Sequence, residues 1–505
     1  MHTIGRKTSN AGPMRPGTLA SVLGLLAGCG AFFAASAPVQ SLPLYARQTG
    51  QPCATCHTAF PELTPYGRRF KLLGYTAGGT RCRDAALRRP DEAGDVASMK
   101  DYLNGSAAGS PEAASNDGRY LPPISFMVIP SFTHTAKAQD PANLSAGVDP
   151  NNNWQLQTAS VFAGGQIYCD VGAFVQATHD PNAFSPFFLD NTDIRYARQT
   201  RIFGLNAIIG ATVNNNPTVQ DVWNTTPAWG FPQQQSEVTP PPVANSTMIE
   251  GAWSGTVVGT STYMLLDDKV YAEFGYYRSM PSNLMANLGQ DPGGDRIDGA
   301  APYWRLAFEK NWDQHSLMFG TFGMMANIYP GNDRTFGSDR VTDWGIDSQY
   351  QYIGDVHGLT TKVTYIKEKQ NHDATGPLGF MSADNPVDYL SKFKASATYH
   401  YEIPPLTGSR IALTGSYFNI VGTADATLYS PNSQTGSPNT AGWIGELAWI
   451  PFNRGNLSAW PWFNMRVGLQ YTAYTKFDGS TTNIDGAGRK ASDNNTLYSY
   501  VWTAF

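Results

Sequence analysis

From Pro122 to the last residue, apolar and polar side chains alternate with a period of two. The pattern is clearest where Phe463, Met465, Val467, Leu469, Tyr471 and Ala473 interleave with Asn464, Arg466, Gly468, Gln470, Thr472 and Tyr474. Phe393, Ala395, Ala397, Tyr399 and Tyr401 likewise alternate with Lys392, Lys394, Ser396, Thr398 and His400, and Leu359, Thr361, Val363 and Tyr365 with Thr360, Lys362, Thr364 and Ile366. A period of two stands successive side chains on opposite faces of a strand. Strands are predicted at 123–137, 152–168, 171–179, 192–199, 202–212, 250–266, 270–280, 301–310, 315–327, 340–353, 358–369, 389–402, 408–420, 441–450, 461–475 and 494–505, about sixteen in all.

The connections alternate in length. Short turns are expected at Cys169-Asp170, Gln199-Thr200, Asp267-Asp268-Lys269, Asn311–Asp313, Gly354–Val356, Pro404–Thr407 and Asn453–Ser458. Long polar loops are expected at 138–151, 180–191, 213–249, 281–300, 328–339, 370–388, 421–440 and 476–493. Lipid offers no partner to an open sheet edge, so a strand protein spans a membrane only as a closed barrel. An even strand number, apolar-out and polar-in alternation, and short turns at one end with long loops at the other mark an outer-membrane β-barrel. Tyr303, Trp304, Trp344, Trp449, Trp460, Trp462 and Trp502 fall near strand ends, where interfacial aromatic girdles lie, and Phe505 ends the last strand. Asp291, Asp295, Asp298, Asp333, Asp339 and Asp343 read as a solvated acidic rim.

Composition agrees: 50 Gly, 25 Tyr and 12 Trp, with no later run of about 18 apolar residues that would make a spanning helix. Arg6, Lys7 and Arg15 precede an apolar run from Leu19 to Ala37, a secretory signal ending near Val39-Gln40-Ser41, with Met14 an alternative start. Leu26-Ala27-Gly28-Cys29 also has the form of a lipoprotein signal, although apolar residues continue past Cys29. The expected organisation is therefore a signal peptide over 1–41, a small domain over 42–80, a linker over 81–121 and the barrel over 122–505. From Leu42 onward, 32 Lys and Arg face 40 Asp and Glu, a net charge of −8. Residues 47–89 alone carry +6, so a small basic domain should dock on a larger acidic one. Outer-membrane lipid is an expected partner and nucleic acid is not.

The chemistry lies in Cys53-Ala54-Thr55-Cys56-His57. In an exported protein the pattern C-x-x-C-H is a c-type haem attachment site: each thiol forms a thioether to the porphyrin and the histidine is an axial iron ligand. A zinc site usually needs a second Cys or His pair nearby, and none lies between 58 and 120. One covalent haem c is thus expected as cofactor. Its sixth ligand would come from the barrel, with His400 and Met127 the lumen-facing candidates near the short-turn end, or the iron would be five-coordinate. Cys82 and Cys169 form a leftover pair, and a disulfide between them would pin the small domain to the barrel mouth.

Tyr45-Ala46-Arg47-Gln48-Thr49-Gly50, the Cys53–His57 motif, Pro61, Leu63, Gly67-Arg68, Phe70-Lys71-Leu72, Gly74-Tyr75-Thr76 resemble the haem segment of the fused outer-membrane monohaem cytochrome c–porin family, which includes iron-oxidising cytochromes. The match covers about residues 44–76; Ser131–Thr135 and Val171–Gln176 are weaker signals in the barrel. The resemblance implies an all-β, about 16-stranded porin-like barrel with a haem plug. It implies electron transfer from extracellular Fe(II) to a periplasmic cytochrome or other carrier, a ferrous iron oxidase activity, with Cys53, Cys56 and His57 carrying over. Two other readings stay open: a solute porin whose haem domain is a plug or redox sensor, and a conduit for a different extracellular donor.

Overall fold

The computed structural model describes residues 42–76 and 123–505, apart from 142–143, 145–146, 169, 181–183, 227–228, 404–407, 431 and 454–460. The expected signal, Cys29, the linker over 81–121, Cys82 and Cys169 lie outside the described residues.

Sixteen long strands close into one antiparallel barrel: β1 Ile124–Thr135, β2 Asn153–Tyr168, β3 Val171–His179, β4 Phe187–Ile202, β5 Leu205–Asn214, β6 Val257–Leu266, β7 Val270–Ser279, β8 Ala301–Trp312, β9 His315–Tyr329, β10 Asp339–Ile353, β11 His357–Asn371, β12 Val387–Glu402, β13 Arg410–Gly422, β14 Thr440–Ile450, β15 Asn464–Lys476 and β16 Thr496–Ala504. Each pairs with its sequence neighbours, and β1 closes on β16 through Met127 opposite Ala504 and Thr135 opposite Thr496. Backbone hydrogen bonds join Phe126 and Phe505 at that seam, where their rings stack. Closure leaves no edge, which is what lipid requires of strands.

The predicted alternation holds in space. Thr398, His400 and Glu402 are buried in the lumen while Ala397 and Tyr399 face out, and Phe126, Trp154, Leu306, Phe319, Leu413 and Leu447 stand on the lipid-facing surface. This is the apolar band of an outer-membrane barrel, placing the protein in the outer membrane of a Gram-negative cell. Trp344, Trp449 and Trp462 are exposed near strand ends as a girdle requires, but Tyr303 and Trp502 are buried in the lumen. Their parity decides this: Trp502 shares a face with Tyr498 and Tyr500.

β4 begins at Phe187, five residues before the expected 192; two other boundaries differ from expectation for local reasons. The β4–β5 turn falls at Phe203-Gly204, not at Gln199-Thr200; both turn residues take positive φ, the type I′ geometry that suits the strand twist. Polar Gln199 and Thr200 simply continue the strand. β6 starts at Val257 because 248–250 form a short 3-10 turn inside the barrel.

That turn belongs to the largest difference from the expected organisation. The β5–β6 loop, 215–256, is not an outer loop: it folds into the lumen and buries Val219, Val222, Trp223, Phe231, Met248, Ile249 and Trp253. Wall carboxylates hold it. The Ile249 amide donates to Asp343 at 2.6 Å and the Met248 amide to Glu368, while Trp223 Nε1 donates to Glu309 at 2.7 Å. Asp343 is therefore a lumen anchor, not part of an acidic rim; Asp339, also buried, accepts from the amides of Ala374 and Thr375.

Candidate functional site

Residues 42–76 form three short helices, α1 Pro43–Thr49, α2 Cys53–Cys56 and α3 Pro65–Leu72, seated in the barrel at its short-turn end. Proline begins α1 and α3, where the missing amide costs nothing, and Thr64 caps α3 by accepting from the Gly67 amide at 3.1 Å. Gly67 lets α3 press on α2, since a Cβ there would lie 2.3 Å from the Cys56 carbonyl oxygen.

Contacts to the wall run round the barrel. Arg68 forms a two-pronged pair with Glu309 at 2.9 and 3.1 Å and also donates to Gln351 and Ser316. Arg69 pairs with Asp268, the Tyr75 hydroxyl donates to Asp193, and the Tyr263 hydroxyl donates to the Leu72 carbonyl. From the far wall, Arg410 and Arg466 donate to the carbonyls of Thr58 and Phe60. Arg68 and Arg69 thus meet acidic wall groups, whereas Arg47 and Lys71 donate to the carbonyls of Ile124, Val219 and Asp221, and Arg81, Arg83, Arg88 and Arg89 lie outside the described residues. Apolar burial carries more of the docking free energy: Leu44, Phe60, Phe70 and Leu72 are buried, each worth about 2 kcal/mol, whereas an exposed pair such as Arg69–Asp268 is worth about 1 kcal/mol or less. Arg68–Glu309 differs because both partners are buried, so removing one would strand the other at a cost of about 3–5 kcal/mol.

Between this segment, the in-folded loop and the wall lies a cavity of about 1090 Å³, counting its open mouth. Cys53, Cys56 and His57 line it, with Phe60, Leu63 and Phe70 from the same segment. The wall contributes Met127, Phe162, Phe174 and Trp502, and the loop Val219, Asn224 and Trp229. Cys53 and Cys56, three apart on α2, lie on one helical face. His57 leaves the helix in extended conformation, its amide donating to the Cys53 carbonyl at 2.9 Å. His57 Nδ1 lies 3.2 Å from the Pro61 carbonyl oxygen, which can only accept, so Nδ1 bears the proton and Nε2 the lone pair. Burial lowers the His57 pKa to about 4, keeping the ring neutral, and burial with the neighbouring Cys53 pushes the Cys56 thiol up to about 12.

The donor set fits a covalent porphyrin. Two thiols one helical turn apart, a neutral imidazole, and an apolar, aromatic-walled space are what c-type haem needs. Among the described residues no group of three or more His, Cys, Asp or Glu side chains is arranged to hold a metal ion. The two sixth-ligand candidates separate. Met127, buried on β1, lines the same cavity as His57. His400 is buried on β12 but does not line it; its ring lies against Gly358, where a Cβ would come within 2.0 Å of Nε2.

The cavity's roof comes from the in-folded loop, which carries little signal in the sequence. Trp229 stacks on Trp502 at 6.5 Å and meets Phe174 edge-on at 6.2 Å. Asp221 organises this loop by accepting from the amides of Trp223, Thr225 and Thr226. Burial opposes its charge, yet Arg305 and those amides hold its pKa down at about 2. The cluster of Asp221, Trp223, Asn224 and Thr225 within 213–249 was its only sequence trace, and it reads as well as an ordinary polar turn.

No family model matches this protein, and no curated protein matches it. Solved structures similar in fold are outer-membrane barrels. In-vitro folded OmpT of Vibrio cholerae is 10% identical, covering 76% of this chain and 96% of its own, with a TM-score of 0.39. OprB of Pseudomonas putida is 12% identical over 76% of this chain and 93% of its own, with a TM-score of 0.45. An anion-selective porin from Comamonas acidovorans is 11% identical over 75% and 98%, with a TM-score of 0.41. The protein is an outer-membrane β-barrel of sixteen long strands whose lumen holds residues 42–76 of the same chain.

Proposed function

We propose that this barrel carries one covalent haem c in the lumen cavity and passes electrons from extracellular Fe(II) to a periplasmic electron carrier, as in the fused cytochrome–porin family it resembles. One observation carries the reading: Cys53, Cys56 and His57 line an apolar cavity inside a membrane-spanning barrel.

When bound, the haem supplies a one-electron couple. The protein's own residues do the rest. Pro61 orients the His57 ring through Nδ1, leaving Nε2 available to iron. Arg410 and Arg466 fix the backbone on either side of Ala59, in the turn that carries Pro61. Of the two candidates Met127 is the one that lines the cavity, and its thioether would be the soft donor the wall could offer to a haem held there. Phe162, Phe174 and Trp502 present apolar surface to the cavity, which would set the polarity around a haem held there, a lever on its potential. The segment's place at the short-turn end, which faces the periplasm in such barrels, brings the cavity near a periplasmic acceptor. Residues 42–76 and the loop 215–256 both occupy the lumen, which favours a conduit over an open solute porin.

Anaerobic addition of Fe(II) to the oxidised, detergent-solubilised protein tests this. The haem α-band should rise to the dithionite end-point at near-stoichiometric iron. Reduction by dithionite but not by Fe(II) would remove iron as donor, and the absence of any haem band would remove the reading.

A further inference from the structure

We propose that Tyr498, Tyr500 and Trp502, the inward side chains of β16, are the electron route from the outer half of the lumen to the cavity beside His57. The proposal rests on reading that cavity as a haem site and adds the path by which an outer donor reaches it.

The lumen holds a second cavity, about 1310 Å³ counting its mouth, between the in-folded loop and β12–β16. Phe231, Gln470, Lys394 and Tyr498 line it, and Trp502 lines the cavity of Cys53, Cys56 and His57. The two spaces are therefore joined along one strand. Tyr498 and Trp502 are four residues apart, about 14 Å of strand, and Tyr500 stands between them on the same face. All three are buried. The Tyr498 and Tyr500 rings are 5.5 Å apart, Trp502 meets Phe60 at 4.9 Å, and Phe60 meets His57 at 5.2 Å. Trp229 of the in-folded loop adds a second ring beside Trp502.

The middle ring is held firmly. Tyr500 lies over Gly468, its partner on β15, where a Cβ would come within 2.3 Å of the ring. Its hydroxyl donates to Glu446 at 3.2 Å and accepts from Arg466 Nε at 3.0 Å. The same arginine donates to the Phe60 carbonyl, tying the ladder to the segment that carries His57. Tyr500 and Trp502 stand two residues apart on one face, about 7 Å along the strand, and belong with Tyr498 to one buried cluster. Electronic coupling falls steeply with distance, so this row of rings, which divides the span between the two cavities into short jumps, is the favoured path. One electron leaves the outer donor, which is oxidised by one unit, and one ferric haem becomes ferrous. The rings mediate the transfer without net oxidation, and no proton moves.

The test uses haem-loaded protein in proteoliposomes with the long-loop face outward, and hexaammineruthenium(II) as a one-electron donor, so that it does not depend on Fe(II) being the natural one. Tyr498→Leu/Tyr500→Leu should slow haem reduction by external donor by at least an order of magnitude. The haem spectrum, its midpoint potential and its reduction by donor enclosed within the vesicles should be unchanged. Tyr498→Phe/Tyr500→Phe, which keeps the rings, should restore the wild-type rate. A wild-type rate in the leucine pair, or a phenylalanine pair as slow as the leucine pair, would overturn the route. Failure of the haem reading would appear separately, as wild-type protein without a haem band.

Discussion

Replacing Cys53 and Cys56 together by alanine is expected to abolish covalent haem completely while leaving the barrel intact. Both thiols line the cavity, so the change removes attachment without removing the apolar contacts of Leu44, Phe60 and Phe70 or the Arg68–Glu309 pair. The measurement is haem-dependent peroxidase staining of the denatured protein, read beside the heat-modifiable gel migration of a folded barrel. Staining should vanish and the migration shift should persist. Staining that survives the double substitution would mean that haem is bound elsewhere or not through these thiols.

Deleting residues 42–76 should convert a protein that passes almost no ions into one with resolvable openings in planar bilayers. The segment fills the short-turn mouth and contacts wall groups from Ser125 round to Arg466. What remains in the lumen is the loop 215–256, held independently by Glu309, Asp343 and Glu368. The openings should therefore stay smaller than those of a barrel lacking both. Closure of strands does not depend on the segment, because β1 to β16 pair without it. Large conductance in the undeleted protein would return it to the solute-porin reading.

Much of this architecture was legible because a barrel wall is written with a period of two. All sixteen strands fell where apolar and polar positions alternate, and turns such as Asp267-Asp268, with both residues at positive φ, were signalled by their residue types. The Phe203-Gly204 turn was not, because phenylalanine is a poor turn signal and only Gly204 marks the bend. The motif Cys53–His57 was plain, being local in sequence. The cavity around it was not. Its walls come from β1, β2, β3, β16 and an in-folded loop, and no local pattern reports that a long polar loop turns inward to meet Asp343 and Glu368. Trp502 illustrates the limit: near the C-terminus it reads as a girdle residue, and only its shared face with the buried Tyr498 and Tyr500 assigns it to the lumen. Met127 and His400 were equivalent by parity, and the three-dimensional structure alone places one in the cavity and the other against Gly358.

Electron passage across the membrane through this one protein can be followed with purified protein in liposomes that enclose an oxidised soluble cytochrome c. Fe(II) is added outside under anaerobic conditions and the enclosed cytochrome is followed by its α-band. Haem-loaded protein should reduce the enclosed cytochrome, and the Cys53→Ala/Cys56→Ala protein should not. Equal reduction with both, or none with either, would contradict such passage.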